Sequence, residues 1–152
     1  MKKTRSILSF LVLFFGLFYY FVQNHPHYHS TMTDSNHLNH GFVEIPEGTT
    51  SPKVDVRVSQ DLSGTYYLKV TTYDFTFAPE KVGSMTPSFQ EGHAHLYING
   101  EKVNRLYGEY YNIGSLKPGR NVVKVSLHSN NHGALFFKGK PIEKSIVVEV
   151  QS

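Results

Sequence analysis

The chain contains no cysteine in its 152 residues. Disulfides, thiolate metal sites and thiol nucleophiles are therefore excluded, and cysteine usage leaves the redox compartment open. Tryptophan is also absent, so the aromatic content rests on 10 tyrosines and 11 phenylalanines. No acidic residue precedes Asp34, which leaves Lys2, Lys3 and Arg5 uncompensated; those three account for the whole formal net charge of +3. The remaining chain is balanced and lacks the basic footprint that nucleic-acid binding needs. There is no Gly-rich phosphate loop and no Ser-His-Asp pattern on a strained elbow. The chain therefore reads as a non-enzyme, with no catalytic residue to name. A copper monooxygenase with an N-terminal histidine would need cleavage just before His25, where the context is wrong. There is no internal repeat, and past residue 22 no window holds a helical period.

What is present falls into three stretches. In residues 1–22, Lys2, Lys3 and Arg5 precede an apolar run from Ile7 to Val22, broken only by Ser9 and Gly16. A basic head followed by an apolar run is the export pattern. As a helix the run spans roughly 24 Å, short for a bilayer crossing and long for a signal-peptide core. Tyr19 and Tyr20 suit the aromatic belt of a membrane interface. No small-x-small cleavage site follows, so an uncleaved anchor is favoured over a cleaved signal peptide. Either way the body is expected to be exported, facing the periplasm or the outside. Residues 23–40 form a polar linker without hydrophobic period, expected to be disordered. The linker carries His25, His27, His29, His37 and His40, five of the nine histidines. Such a tract either binds Cu²⁺ or Zn²⁺ weakly or is a polar spacer.

Residues 41–152 read as all-β. Val54, Val56 and Val58 alternate with Asp55, Arg57 and Ser59, Tyr66, Leu68 and Val70 alternate in the next strand, Val123, Val125 and Leu127 mark another, and Ile146, Val148 and Val150 end the chain as a strand. Phe75 and Phe77 predict a short strand closed by Ala78-Pro79-Glu80, and Gly133 to Gly139 has room for another. Tyr111 to Arg120, with Leu116-Lys117-Pro118-Gly119, predicts a corner between two sheets. Short strands separated by Gly and Pro turns point to a single β-sandwich.

The body is organised around Glu91-Gly92-His93-Ala94-His95-Leu96-Tyr97-Ile98-Asn99-Gly100-Glu101-Lys102-Val103. Asn-Gly between alternating runs predicts a β-hairpin with a type I′ turn. Ala94, Leu96 and Ile98 then share one face, and His93, His95 and Tyr97 the other. A two-residue turn places Ile98 opposite Glu101, Leu96 opposite Val103, His95 opposite Asn104 and Arg105 opposite Ala94. Arg105 on the Leu96 face needs a partner, for which Glu91 is available, or an exposed edge. The two imidazoles stand about 7 Å apart at Cβ, a spacing from which both reach one metal ion.

Two resemblances bear on this. YYLKVTTYDFTFAPEKV, Tyr66 to Val82, resembles the early strands of cupredoxin-like domains. HGFVEIP, FTFAPE, EGHAHLYINGEKVNRLYG, LKPGRN, NNHG and GKPI together resemble a group of uncharacterised exported bacterial proteins with a Gly-His-x-His-Leu hairpin. That resemblance implies a cupredoxin-like or immunoglobulin-like sandwich and no known activity. Blue-copper centres need a Cys ligand, so electron transfer at such a site is excluded.

His93 and His95 open one strand, while His128 and His132 finish another. Antiparallel neighbours would bring those ends together. A metal site is thus expected from His93, His95 and His132, with His128 and His40 nearby, and Cu or Zn as the ion. Met85 would soften such a site, although a loop methionine more often merely packs. Tyr107, Tyr110 and Tyr111 are read as core before ligand patch. Two functions follow: an exported, membrane-tethered metal-binding domain, or a structural or protein-interaction module of the envelope whose histidines hydrogen-bond within the fold.

Overall fold

The structure is a computed structural model, and it describes residues 11–20 and 41–151. The chain divides into two compact units, Met1–Asn39 and His40–Ser152. In the first, residues 11–20 are helical, a length of about 15 Å. Among the described residues no helix is long and apolar enough to cross a membrane. The basic head, the end of the apolar run and the whole linker, His40 included, lie outside the described residues.

The second unit is all-β. Its strands are β1 (Phe42–Glu44), β2 (Lys53–Gln60), β3 (Tyr66–Tyr73), β4 (Thr76–Phe77), β5 (Glu91–Ile98), β6 (Glu101–Leu106), β7 (Tyr110–Gly114), β8 (Gly119–Ser129), β9 (Ala134–Phe137), β10 (Lys140–Pro141) and β11 (Glu143–Val150). A single 3-10 turn, Pro79–Lys81, follows β4 where Pro79 presets the first φ. The alternating segments expected from the sequence are strands; their apolar positions are buried in β3 and β8 and mostly half-buried in β2 and β11.

The strands form two sheets. The smaller has the order β2-β3-β7. The larger runs β1-β9-β8-β5-β4, with β6 beside β5, β11 beside β8 and β10 beside β9. Val56, Leu68 and Val70 from the small sheet join Ala94, Leu96, Val123, Val125 and Leu127 from the large one in a single core cluster. The corner after β7 carries the chain from the small sheet to the large one, as expected. Gly119 starts β8 at φ 87°, a left-handed conformation that suits glycine. Leu116 in that corner is buried.

Strand β8 positions the rest. It pairs antiparallel with β5 from Gly92↔Ser129 to Ile98↔Val123. On its other side β11 pairs from Glu143↔Ser126 to Val150↔Gly119, and β9 takes over at His128↔Ala134. The far end of β8 is thus flanked by the start of β5 and by the turn into β9.

Candidate metal centre

The site begins with a glycine. A Cβ on Gly92 would stand 2.0 Å from the His128 carbonyl oxygen, so only glycine lets β5 approach β8 here. From Gly92 the strand alternates. Ala94 and Leu96 enter the apolar core and His93 and His95 face away from it. The antiparallel ladder sets His93 opposite His128 and His95 opposite Ser126. Paired residues project to the same face, so three imidazoles and a hydroxyl meet there. After β8 the chain turns back on itself, with His132 N–H donating to the Ser129 carbonyl and Ser129 N–H to the Gly133 carbonyl. His132 takes φ 67°, which such a tight turn requires. Gly133 also sits close to its neighbours: a Cβ there would lie 2.5 Å from Val43 Cγ2 and require that side chain to shift.

The rings of His93, His95, His128 and His132 gather accordingly. His93 Nε2 lies 3.0 Å from His95 Nε2 and 3.5 Å from His132 Nδ1. His95 and His128 stack with centroids 3.6 Å apart. His128 Nδ1 donates to the His132 carbonyl at 3.2 Å. That bond fixes the tautomer and leaves Nε2 to accept from Ser126 Oγ at 3.0 Å. The Tyr107 ring lies 5.6 Å from that of His93.

The hairpin brings two cations to the same face. Asn99 and Gly100 have φ 53° and 87°, as a type I′ turn requires, and Ile98 pairs with Glu101 as expected. The expected register holds for one more pair and then fails. Tyr97 pairs with Lys102 and Leu96 with Asn104, which leaves Val103 as a β-bulge. His95 therefore faces Arg105 and Ala94 faces Leu106. Residues 102 and 105 would point to opposite faces of a regular strand; the bulge sets both beside the histidines. Arg105 is accordingly not on the Leu96 face, and Glu91 pairs with Lys81 instead. Lys102 Nζ donates to His95 Nε2 at 3.2 Å.

Burial decides the electrostatics. His93 is fully buried, and His95 and His128 are 6% and 7% exposed. Removal from water disfavours imidazolium, and the pKa of His93 falls to about 3, that of His95 to about 2 and that of His128 to about 4. The neighbouring histidines, Lys102 and Arg105 push His93 and His95 the same way. For His128 the bond to the His132 carbonyl opposes the fall in part. All three are neutral at physiological pH, the form in which imidazole binds a metal.

The contacts do not form a fully satisfied hydrogen-bond network. Each neutral sp² nitrogen offers one proton or one lone pair. Lys102 can only donate, so it takes the His95 Nε2 lone pair. His93 Nε2 then competes for that lone pair, or confronts it. No placement of protons on neutral rings makes good single bonds of His93–His95, Lys102–His95 and His132–His93 together. Nitrogens on two corners of a tetrahedral Zn²⁺ site lie about 3.3 Å apart, and the separations of 3.0 and 3.5 Å bracket that. As the rings stand, no group of three His, Cys, Asp or Glu among the described residues is arranged to hold an ion. Adjustment of the rings and withdrawal of Lys102 are needed first.

The remaining sequence candidates separate. His40 lies outside the described residues, and Met85 is exposed in the loop before β5. Tyr110 is exposed rather than core, Tyr111 packs at the core edge, and Tyr107 covers His93. Lys102 and Ser126 escaped the sequence reading. Both signals were legible: Ser126 sits two residues before His128 on one strand, and the two-residue turn sets Lys102 opposite Tyr97 on the histidine face; the bulge reassigns Arg105 instead. No family model, curated protein or solved structure matches the chain.

Proposed function

We propose that the β domain binds a transition metal, Cu or Zn, through His93 Nε2, His95 Nε2 and His132 Nδ1, with His128, both of whose nitrogens are engaged by Ser126 and the His132 carbonyl, stacked against His95 as support. The observation that carries this reading is the convergence of imidazole nitrogens 3.0 and 3.5 Å apart. Burial holds the His93 and His95 rings neutral, and protons alone leave the contacts among the three unresolved. The His128–His132 carbonyl bond is the kind of outer contact that orients a ligating ring. The domain is read as a cupredoxin-like or immunoglobulin-like sandwich, on the strength of two sheets that share one core. The basic head and apolar run of residues 1–22 support export and a membrane tether, with the domain facing the periplasm or the outside. On this reading the protein holds or passes a metal ion and is not an enzyme.

One observation favours the second reading, a structural or protein-interaction module of the envelope. His93 Nδ1 is buried without a partner, whereas a metal-bound histidine ordinarily donates from its other nitrogen. Calorimetric titration of the full-length protein with buffered Zn²⁺ and Cu²⁺ separates the two. Binding is expected with one tight site, weakened by about 100-fold or more in His93→Ala or His95→Ala. Equal affinity in the wild type and the double variant sinks the metal reading and leaves the interaction module.

A further inference from the structure

Electrostatics carries the metal reading one step further. Imidazoles are neutral ligands, so an ion held by His93, His95 and His132 keeps its full charge. The ion pairs among the described residues join Lys81 to Glu91, Lys124 to Glu143, Lys138 to Glu47 and Lys144 to Asp55. Lys102 and Arg105 belong to none of these. The hairpin turn nonetheless sets Lys102 opposite Tyr97, and the bulge at Val103 sets Arg105 opposite His95, both on the imidazole face. Lys102 Nζ is already 3.2 Å from the nitrogen that a metal must take. An ion that takes the His95 lone pair displaces that ammonium by one bond length and leaves it beside the metal. A divalent ion on buried neutral rings, with two cations at its exposed edge and no acid among the described residues paired to them, favours an anion. Three protein ligands also leave the fourth tetrahedral position open.

We propose that this open position takes a small oxyanion, a carboxylate or a phosphate. One oxygen bonds the metal, and the others accept hydrogen bonds from Lys102 and the Arg105 guanidinium, whose fork matches both groups. Lys102 then has two states, donor to His95 without the ion and donor to the anion with it. The inference rests on the metal reading above and fails separately from it.

Azide provides the probe, because its bond to Cu²⁺ gives a charge-transfer absorption. Full-length protein is loaded with Cu²⁺, uptake is confirmed by calorimetry, and azide is titrated. A saturating band is expected, with azide affinity about tenfold weaker in Lys102→Gln and in Arg105→Gln. Lys124→Gln removes a charge from the same face, over the Tyr97 ring, but that charge is already neutralised by Glu143; it should leave azide affinity unchanged. Acetate and inorganic phosphate are each added as competitors, and the one that displaces azide at lower concentration identifies the anion class. Copper uptake without an azide band overturns the anion site alone. So does unchanged affinity in Lys102→Gln and Arg105→Gln, an equal loss in Lys124→Gln, or displacement by neither competitor. Absence of copper uptake by the wild type overturns the metal reading and the anion site together.

Discussion

Strand β5 has two buried faces built from opposite chemistries. Ala94 and Leu96 look into the shared core and are fully buried. His93 and His95 look the other way and are almost as deeply buried, beneath Tyr107, His128 and the turn that carries His132. On the first face burial is favourable, because apolar area leaves water at about 25 cal/mol per Å². On the second it costs free energy, because imidazoles lose hydration and regain only part of it in mutual contacts. One strand is thus stabilised on one side and held under tension on the other. A domain that keeps a costly polar cluster beside an adequate apolar core has a use for the cluster.

Acid should break this balance most strongly. The folded-state pKa values of His93, His95 and His128 lie near 3, 2 and 4, below the unfolded value of about 6.5. Between those limits the unfolded chain binds more protons, so stability rises with pH. It is complete above about pH 6.5 and is lost as pH falls toward the folded-state values. Each ring contributes about 1.4 kcal/mol per pH unit in that window. Thermal melts of metal-free protein from pH 7.5 to 4.5 should show a steep fall in Tm below pH 6.5. A flat profile would mean that the rings are hydrated after all. The same shifts bear on metal binding. Buried rings resist protonation, so in the folded protein competition by protons sets in near the lowered values.

The apolar face predicts a smaller effect with a different signature. Leu96→Ala leaves a cavity among Leu68, Val125 and their neighbours in the core, at a cost of about 3 kcal/mol. Denaturant melts should show that loss equally with and without Zn²⁺. His95→Ala on the opposite face should reduce stability less and abolish the rise in Tm expected on addition of Zn²⁺ to the wild type. If Leu96→Ala also abolished the Zn²⁺ effect, the two faces would not be separable units.

The legible part of this site follows from two rules that act over short range. Alternation along β5 puts His93 and His95 on one side, and antiparallel pairing brings the end of β8 to the start of β5. Both can be read from residue types and turn signals. The turn also gives the first two pairs, Ile98↔Glu101 and Tyr97↔Lys102, but not the bulge at the next residue, Val103. Val103 looks like an inward residue, and only the packing of Leu106 against the core shows that it is not. Burial of the imidazole face was hidden as well, since its cover comes from segments distant in sequence. Strand β7 was read as part of the corner because Asn112 interrupts its apolar pattern, and its pairing with β3 slips between Tyr66 and Tyr67. Strand β1 has three residues and depends on a parallel partner, β9, about 90 positions away, a contact with no local signal.

The bulge itself allows the finest test of the two-faced strand, and the smallest expected effect. Val103 is exposed and unpaired, the extra residue between Lys102↔Tyr97 and Asn104↔Leu96. Its deletion would close the ladder without moving any pair. Lys102 would still face Tyr97, Arg105 would still face His95, and Leu106 would still face Ala94. Regular strand sterics then set each of them on the face it already occupies. The deletion loses local twist and a half-exposed valine and regains a ladder, so the net change should stay within about 1 kcal/mol. Copper affinity should remain within about threefold of the wild type, since no imidazole moves. Calorimetry of the deletion variant reads both quantities. A large loss of copper affinity with stability intact would show that the twist, not the pairing, aims β6 at the histidines. A large loss of stability would show that Val103 packs against something its exposure conceals.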